Sequence, residues 1–362
     1  MKKRSVVICL IAFITINLII PEILATSTTK GDLLTNFILR CQNSSGGFKN
    51  CPENAIPDMQ STFQAVYTLS VIGKLNSIGK KTVAVWINET QNIDGGFPNI
   101  ENQSSTLEST YFAVKALLIL GYTPCNNITE YINQCWNADY GFGNTPNSSS
   151  NLQSTYYALS TLRALGVDIS VYKTEQWLIP LQNNISEDYY GAFSSDGKVY
   201  NILSTCFALM ALNLTNNIAQ INKTSAYNWV KSCQNTDPNQ PTKYGSYSST
   251  PTTQDYSVMN CYAALSSFVT LGLEIPLKTA TKEWILKCQN LESGGFSTST
   301  IKDSSTVASS YYAICALEII GDLGFLSTEI STGLSYNLSI WIILLIIIVA
   351  IISIYIVKKY LL

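Results

Sequence analysis

A short pattern of small polar residues, two mostly aromatic or apolar residues and an alanine recurs along the middle of the chain, at intervals of 45 to 55 residues. The six copies are Ser61–Ala65, Ser109–Ala113, Ser154–Ala158, Ser204–Ala208, Met259–Ala263 and Ser309–Ala313. Apolar residues follow with helical spacing. Each copy therefore predicts a helix that begins at its first residue, where a hydroxyl can accept a bond from a free backbone N–H, and that often ends in glycine.

A second pattern precedes each copy. An aromatic residue with an aliphatic partner, as in Trp86-Ile87, is followed on the same helical face by Cys, Thr or Leu, and then by a glycine before Phe or Tyr. We expect that glycine to end a first helix. The cysteines on this face are predicted to be buried core residues, although export would favour disulfides. They are Cys41, Cys135, Cys233 and Cys288.

Each unit is thus predicted to be a hairpin of two helices, and six hairpins form either an open solenoid or a closed ring. An open array needs atypical polar units at its ends, whereas the first and last units here keep the full pattern. We therefore predict an all-α fold, an α/α toroid over residues 26–321, with six inner helices around a central cavity and six outer helices around them.

The two ends of the chain carry targeting signals. Residues 1–25 begin with Lys2-Lys3-Arg4, continue as an apolar run and end in small residues, which predicts a signal peptide, with an uncleaved signal anchor as the alternative. Residues 338–357 are long and apolar enough to be a transmembrane helix rather than a buried core helix. Lys358 and Lys359 predict a cytoplasmic tail, 358–362, and so an extracellular toroid joined to the membrane by a linker, 322–337. Nine Asn-x-Ser/Thr sequons agree with this location.

Composition removes several classes of function. The 362 residues include no histidine, which excludes His-based catalytic triads and histidine metal sites. A net charge of -2 with 13% charged residues argues against a nucleic-acid partner, which requires a basic face. The 46% hydrophobic content is compatible with a large core. Nothing in the sequence identifies a protein partner.

The repeat units resemble those of a known family. Gln91–Phe97 followed by Ser109–Gly121 is similar to the repeat of protein prenyltransferase β subunits, and more distantly to that of the squalene and oxidosqualene cyclases. The resemblance covers residues 31–321 and implies the α/α toroid fold. It does not imply one chemistry, because this fold hosts transferases, cyclases and non-catalytic thioester domains.

The resembling prenyltransferases use a zinc ion bound by an Asp and a Cys at the start of one inner helix and a His at the start of a later one. The matching starts here carry Ser204 and Met259, or Ser309 in a shifted alignment. Cys206 and Cys261 are interpreted as packing residues in place of an aromatic. The Asp-x-Asp-Asp segment of the cyclases and the Cys–Gln spacing of thioester domains are absent. We therefore predict no metal and no cofactor.

The fourth residue of each inner-helix copy is expected to face the centre of the ring. These candidate ligand-binding residues are Gln64, Phe112, Tyr157, Phe207, Tyr262 and Tyr312. Their side chains would line an apolar pocket with hydroxyl groups on its wall, or the rings would meet one another and fill the space. In the resembling enzymes the cavity holds an isoprenoid chain.

Three functions remain open. The first is a membrane-anchored toroid that binds an apolar or peptide ligand without zinc-dependent catalysis. The second is a transferase or cyclase of the prenyltransferase and terpenoid-cyclase type with a non-standard active site. Asp58 and Asp255 precede inner helices, and paired acids at the rim would instead suit glycoside hydrolysis, although loop acids usually face water. The third is a structural module of the cell envelope. The scarcity of clustered Lys and Arg disfavours the binding of a diphosphate, so the first function is the one we expect.

Overall fold

The computed structural model describes residues 28–124, 127–185, 187–301 and 304–330. The chain divides into two compact units, one of residues 33–325 and one whose described part is residues 28–32 and 326–330. The described strands are short and form two antiparallel pairs, β1 with β4 and β2 with β3. Their bounds are β1 (Thr28–Thr29), β2 (Phe296–Ser297), β3 (Ser305–Thr306) and β4 (Glu329–Ile330).

Twelve α-helices form in the described residues, and they alternate along the chain between an outer and an inner set. The outer helices are α1 (Lys30–Arg40), α3 (Lys80–Glu89), α5 (Ile128–Gln134), α7 (Glu175–Leu178), α9 (Lys223–Ser232) and α11 (Lys278–Lys287). The inner helices are α2 (Met59–Val71), α4 (Leu107–Leu120), α6 (Leu152–Ala164), α8 (Ile202–Leu214), α10 (Val258–Leu271) and α12 (Val307–Ile320).

The inner helices close a ring, because each one packs against the next in chain order and α12 packs against α2. Hydrogen bonds at the starts of the inner helices show the same closure. The carbonyl of Asn50 accepts from the backbone N–H of Val307 at 2.7 Å, and its Oδ1 accepts from that of Ala308 at 3.1 Å. Asn99 makes the same two bonds to the first residues of α2. The sixth unit therefore joins the first as the first joins the second, and the predicted α/α toroid is confirmed.

In five of the six inner helices, a hydroxyl near the helix start holds the turn that precedes it by a hydrogen bond to the backbone of a phenylalanine. Thr62 Oγ1 accepts a hydrogen bond from the backbone N–H of Phe48 at 2.9 Å, and Thr155 Oγ1 does the same for Phe142 at 3.0 Å. Both phenylalanines are fully buried, so their N–H groups need an internal partner. The same bond recurs at Thr110, Thr205 and Ser310.

The expectation that glycine ends the outer helices is wrong. Helix α3 ends at Glu89, and its cap residue Thr90 still has right-handed backbone angles. Gly95 lies in the turn beyond, with φ +87°, and a Cβ there would come within 2.3 Å of the backbone oxygen of Asn127. The turn needs glycine for its left-handed conformation and for its close approach to the next outer helix.

The expectation that the inner helices begin at the Ser-Thr pair is also wrong. The capping side chain stands three residues earlier, where the backbone is still extended. Asp58 Oδ1 accepts from the N–H of Ser61 at 2.7 Å, and Asn151 Oδ1 accepts from that of Ser154 at 2.8 Å. The serine of the pair therefore lies inside the first turn. The two residues between the cap and the serine, Met59 and Gln60 in α2, already belong to the helix.

The caps correct the register of the fifth unit. The five residues of each copy are numbered one to five, so that Ser61 is position one and Ala65 is position five of the first copy. Ser257 caps α10 by accepting from the N–H of Asn260 at 3.1 Å, so Asn260, rather than Met259, is position one of the fifth copy. Cys261 then takes position two, where the other units have Thr or Ser. Tyr262 moves to position three, and Ala263 occupies the position four that the sequence pattern assigned to Tyr262.

The cysteines of the outer helices are buried as predicted. Burial raises the pKa of the Cys41 thiol to about 12, and its Sγ donates to the carbonyl of Phe37 at 3.4 Å. Cys288 makes the same contact to Trp284. The eight cysteines among the described residues are all free thiols. The buried cysteines of the outer helices therefore belong to the helix packing.

None of the helices in the described ranges is both long and apolar enough to cross a membrane. The predicted signal peptide (1–25), transmembrane helix (338–357) and tail (358–362) lie outside the described residues. The predicted linker is described as far as residue 330, over a 3-10 turn (Gly324–Ser327) and strand β4. Membrane anchoring therefore stays a prediction from the sequence.

Candidate functional site at one mouth of the ring

Aromatic side chains fill the inside of the ring near the amino-terminal ends of the inner helices. The ring at position three of one helix packs on the ring at position four of the next: Phe63 on Phe112 with centroids 5.3 Å apart, and Tyr111 on Tyr157 at 4.4 Å. The same contact joins Tyr156 to Phe207 at 5.7 Å and Tyr262 to Tyr312 at 5.5 Å. We call these eight side chains the aromatic girdle.

The girdle is interrupted at two of its six steps. Between α8 and α10 the corresponding side chains are small, because Cys206 is at position three and Ala263 at position four. Between α12 and α2, position four is Gln64, which is 1% exposed. Neither Oε1 nor Nε2 of Gln64 has a hydrogen-bond partner among the described residues.

The six predicted ligand residues fall into different places. Phe112, Tyr157 and Phe207 are buried in the girdle, each less than 10% exposed, and Tyr262 reaches it from position three. Tyr312 is half-buried and lines a pocket at the mouth of the ring. At the level of the girdle the rings therefore contact one another, and contact of these residues with a ligand stays a prediction.

On each inner helix, the residue directly before position one lines the mouth of the ring. It lies four residues before position four and therefore shares its helical face. On α2, α4 and α6 these mouth residues are polar, and we call this side the polar half. On α8, α10 and α12 they are apolar, and we call this side the apolar half. In ring order the mouth residues are Gln60, Glu108, Gln153, Leu203, Met259 and Ala308.

A pocket of about 760 Å³ opens on the apolar half. Leu203, Met259, Ala308 and Tyr312 contribute to it from the starts of three successive inner helices. Among the described residues that line it, Asp255 is the only charged one, and it lies in the loop before α10. Volume and lining are those of a site for a small apolar ligand oriented by a few polar groups.

The start of α10 is the nearest counterpart of the Asp-x-Cys pair of the resembling enzymes, because Asp255 and Ser257 stand two residues apart beside the pocket. Burial acts to raise the pKa of Asp255, but hydrogen bonds from Ser249 and Thr253 outweigh it, and the pKa is lowered. The Ser257 hydroxyl caps the helix, and a hydroxyl is not a ligand that zinc prefers. The described residues contain no group of three His, Cys, Asp or Glu side chains that could hold a metal ion.

The sequence analysis missed a half-buried carboxylate on the polar half, that of Glu108. Glu108 Oε1 accepts from Gln153 Nε2 at 3.0 Å, and the same amide donates to the Tyr157 hydroxyl at 3.2 Å. Burial raises the pKa of Glu108 above its ordinary value. The Glu108 charge adds to burial in raising the pKa of Tyr157 and of the pocket residue Tyr312.

The signal for Glu108 was present in the sequence. It lies four residues before Phe112, and Gln153 lies four residues before Tyr157, so both pairs share a helical face. The predicted helices began two residues too late, at the serine, and this excluded the mouth residues from the candidate set.

The family description "Prenyltransferase alpha-alpha toroid domain" matches residues 2–193 and 186–335 of this chain. The chain belongs to this family. Its members among solved structures share the fold at low sequence identity, whereas the search of curated proteins found no match.

Three solved structures illustrate the similarity. Candida albicans protein geranylgeranyltransferase-I complexed with GGPP is 18% identical, with 87% of this chain and 86% of that chain covered and a TM-score of 0.55. The type II terpene cyclase MstE from Scytonema is 10% identical, with coverages of 82% and 98% and a TM-score of 0.55. A protein from Actinoplanes is 12% identical, with coverages of 81% and 99% and a TM-score of 0.55. At these identities the likeness establishes the fold alone.

Proposed function

We propose that this protein is a membrane-anchored, extracellular toroid that binds an apolar ligand, isoprenoid or lipid-like, or an apolar peptide, without zinc-dependent catalysis. The observation that carries the proposal is the pocket on the apolar half, whose lining includes Leu203, Met259 and Ala308. The apolar segments at 1–25 and 338–357 and the sequons support the location.

The pocket supports binding rather than transfer chemistry. The described residues of its lining include no Lys or Arg, whereas diphosphate recognition normally uses several of them. The serine of the Asp-x-Ser segment cannot replace a zinc-binding thiolate. An isoprenoid chain is the first ligand to test, because the Candida albicans structure is a complex with GGPP.

One observation favours the alternative of a transferase or cyclase with a non-standard active site. Glu108 is a half-buried carboxyl group whose pKa is raised by burial, and a raised pKa is a property expected of a general acid. Turnover of a polyprenyl diphosphate or alcohol by the full-length protein, lost in Glu108→Gln, would establish this alternative and overturn the non-catalytic proposal.

The binding test uses the full-length protein in amphipol and a fluorescent farnesol analogue. Ala308→Trp places an indole in the pocket, and we expect it to weaken binding about tenfold or more, since the ligand would have to displace a buried aromatic. Val269→Trp, at the exposed carboxyl-terminal end of α10, is the matched control. Equal affinity of Ala308→Trp and wild type would contradict the proposed pocket.

Anchoring is tested separately by ending the chain at Asn337. We expect the shortened protein to leave the membrane fraction and enter the medium of expressing cells, whereas the full-length chain stays with the membrane. Retention of the shortened protein in the membrane fraction would contradict a carboxyl-terminal anchor. The result does not bear on the ligand.

A further inference from the structure

We infer that Asn102 and Asn147 carry N-linked glycans, and that these glycans stand at the rim of the ring on its polar half. Such glycans require the extracellular location of the proposed function, but they do not depend on its ligand. The chain has nine Asn-x-Ser/Thr sequons, and the fold presents these two differently from the others.

Both asparagines lie in loops that connect the starts of neighbouring inner helices. In the loop of residues 99–106, Asn99 accepts hydrogen bonds from the first residues of α2, and Thr106 caps α4. The loop of residues 144–151 is tied in the same way to α4 and α6. Because both ends of each loop are held at helix starts, its middle forms part of the rim of the mouth. We call these two segments the polar rim loops.

The two sequons occupy the same place in the polar rim loops. Asn102 and Asn147 have left-handed backbone angles, with φ +66° and +67°. Both asparagines are exposed, and so are Ser104 and Ser149, the hydroxyl residues of the sequons. Asparagine adopts this conformation more readily than most residues. The turn therefore accounts for the asparagine, but not for the serine two residues later in both loops.

Two other sequons are built into helices. Asn88 lies inside α3, and Thr90 of the same sequon is 8% exposed, with its hydroxyl donating to the carbonyl three residues earlier at 2.7 Å. Asn213 lies inside α8. N-linked glycans are bulky and attach at surface loops, so a helical sequon is a poor acceptor.

The remaining described sequons are part of turns and helix caps. Asn222 caps α9, and its Nδ2, the atom that would carry the sugar, donates to the Tyr190 hydroxyl at 3.5 Å. The sequon at Asn127 enters α5 through Ile128, which is 2% exposed. Asn43 is half-buried and holds its own turn. Two sequons extend outside the described residues, those at Asn184 and Asn337.

The corresponding loops on the apolar half have no sequon. They are residues 195–201, 249–257 and 298–306. Each contributes to the pocket, through Val199, Ser249 and Thr298 among others. Glycans on the polar rim loops would cover one side of the mouth and leave the loops around the pocket bare.

The modification transfers an oligosaccharide from a lipid-linked phosphate donor, which the cell and its transferase supply. The amide Nδ2 attacks C1 of the first sugar and forms the new C–N bond. The bond from C1 to the phosphate oxygen breaks, and the lipid phosphate leaves with that electron pair. The amide nitrogen loses one proton, so this protein provides only the acceptor.

Occupancy of each sequon is measured by intact-glycopeptide mass spectrometry on the full-length protein, purified from the cells that produce it. We expect glycans at Asn102 and Asn147 in most copies and unmodified asparagine at Asn88 and Asn213. Equal occupancy of the helical sequons would overturn the selection by geometry.

Three variants identify the acceptors. Ser104→Ala removes the hydroxyl of the sequon but leaves Asn102 in its turn, and it should lower the mass of the protein by one glycan. Combining it with Ser149→Ala should lower the mass by two. Gln103→Ala, between asparagine and serine, should keep the glycan. All three positions are exposed, so the variants should fold. A glycan mass unchanged by Ser104→Ala would exclude Asn102.

Protease added to intact cells separates the inference from the proposed location. If the toroid is digested on intact cells while Asn102 and Asn147 are unmodified, the inference is overturned and the extracellular location stands. If the toroid is digested only after lysis and both asparagines are unmodified, the location fails together with the inference.

Discussion

The polar half and the apolar half of the ring are built on the same scaffold and differ where they face the axis. In both halves, side chains cap the inner helices, as Asp58 does for α2 and Asn201 for α8. In both halves, loops hold the helix starts of the preceding unit. At the mouth, however, Glu108 and Gln153 stand in one half and Leu203 and Met259 in the other. The contacts between units restrict the scaffold positions, whereas the mouth residues differ in polarity between the two halves.

The largest expected effect tests whether the scaffold is equally strict in the two halves. Gly95→Ala and Gly245→Ala each place a Cβ on a residue with φ +87°, less than 3 Å from backbone of the next outer helix. We expect each to lower the free energy of unfolding by about 3 kcal/mol or more, from strain and overpacking together. Urea denaturation of the full-length protein measures both. If only one of the two variants is destabilised, the scaffold is not equally strict in the two halves of the ring.

A second pair of variants tests the hydrogen bond between position two of an inner helix and the backbone N–H of the turn before it. Thr155→Val leaves the buried N–H of Phe142 without its 3.0 Å partner, which should cost about 1–3 kcal/mol of stability. In the apolar half, Cys261 occupies the equivalent position against the backbone N–H of Tyr247. Cys261→Thr should therefore be neutral or gain up to about 1 kcal/mol. A loss of stability in Cys261→Thr would argue against the corrected register of the fifth unit.

Gln64 allows a stabilising prediction on the polar half. Because both polar atoms of its amide are buried without a partner among the described residues, Gln64→Leu removes a desolvation cost at similar volume. The free energy of unfolding should rise by about 1 kcal/mol. Gln103→Leu, in an exposed loop, should change it by less than about 0.5 kcal/mol. Destabilisation by Gln64→Leu would mean that the amide is satisfied in solution.

The smallest effect concerns the pH dependence of Glu108. Burial raises its pKa in the folded protein, so the folded state binds the proton more tightly than the unfolded state. This contribution to stability is present below the ordinary glutamate pKa and is lost as pH rises through the raised value. The groups that contact or couple to Glu108 are Gln153, Tyr157 and Tyr312, and none of them titrates in that acidic range.

Thermal unfolding from pH 4 to pH 7 is the corresponding measurement. The wild-type protein should lose more stability over this interval than Glu108→Gln, and the difference between the two curves isolates the carboxyl group. Parallel curves would show that Glu108 is solvated in the folded protein. Asp58, whose pKa burial also raises, contributes equally to both proteins.

Sequence reasoning succeeded wherever one residue type repeats for one physical reason. The alanine at position five is buried in all six units, and the aromatic residue of the outer helix is buried in five of them, because each unit packs on its neighbours in the same way. It failed at Ser257 and Ala263, because the fifth unit lacks the Ser-Thr pair and several alignments fit its apolar residues equally well. It also missed Glu108, whose neighbour Gln153 belongs to the following unit.

Repetition in the chain determined the hairpins, their number and the toroid family, since each unit must bury the same face against an identical neighbour. Tertiary structure alone decided which side chains meet across the ring. Tyr157 and Tyr312 come from opposite helices. Burial raises the pKa of both hydroxyl groups, and the charge of Glu108 adds to that shift. Their positions depend on the capping hydrogen bonds and on the closure of the ring, and no local pattern along the chain encodes a contact between helices so far apart in sequence.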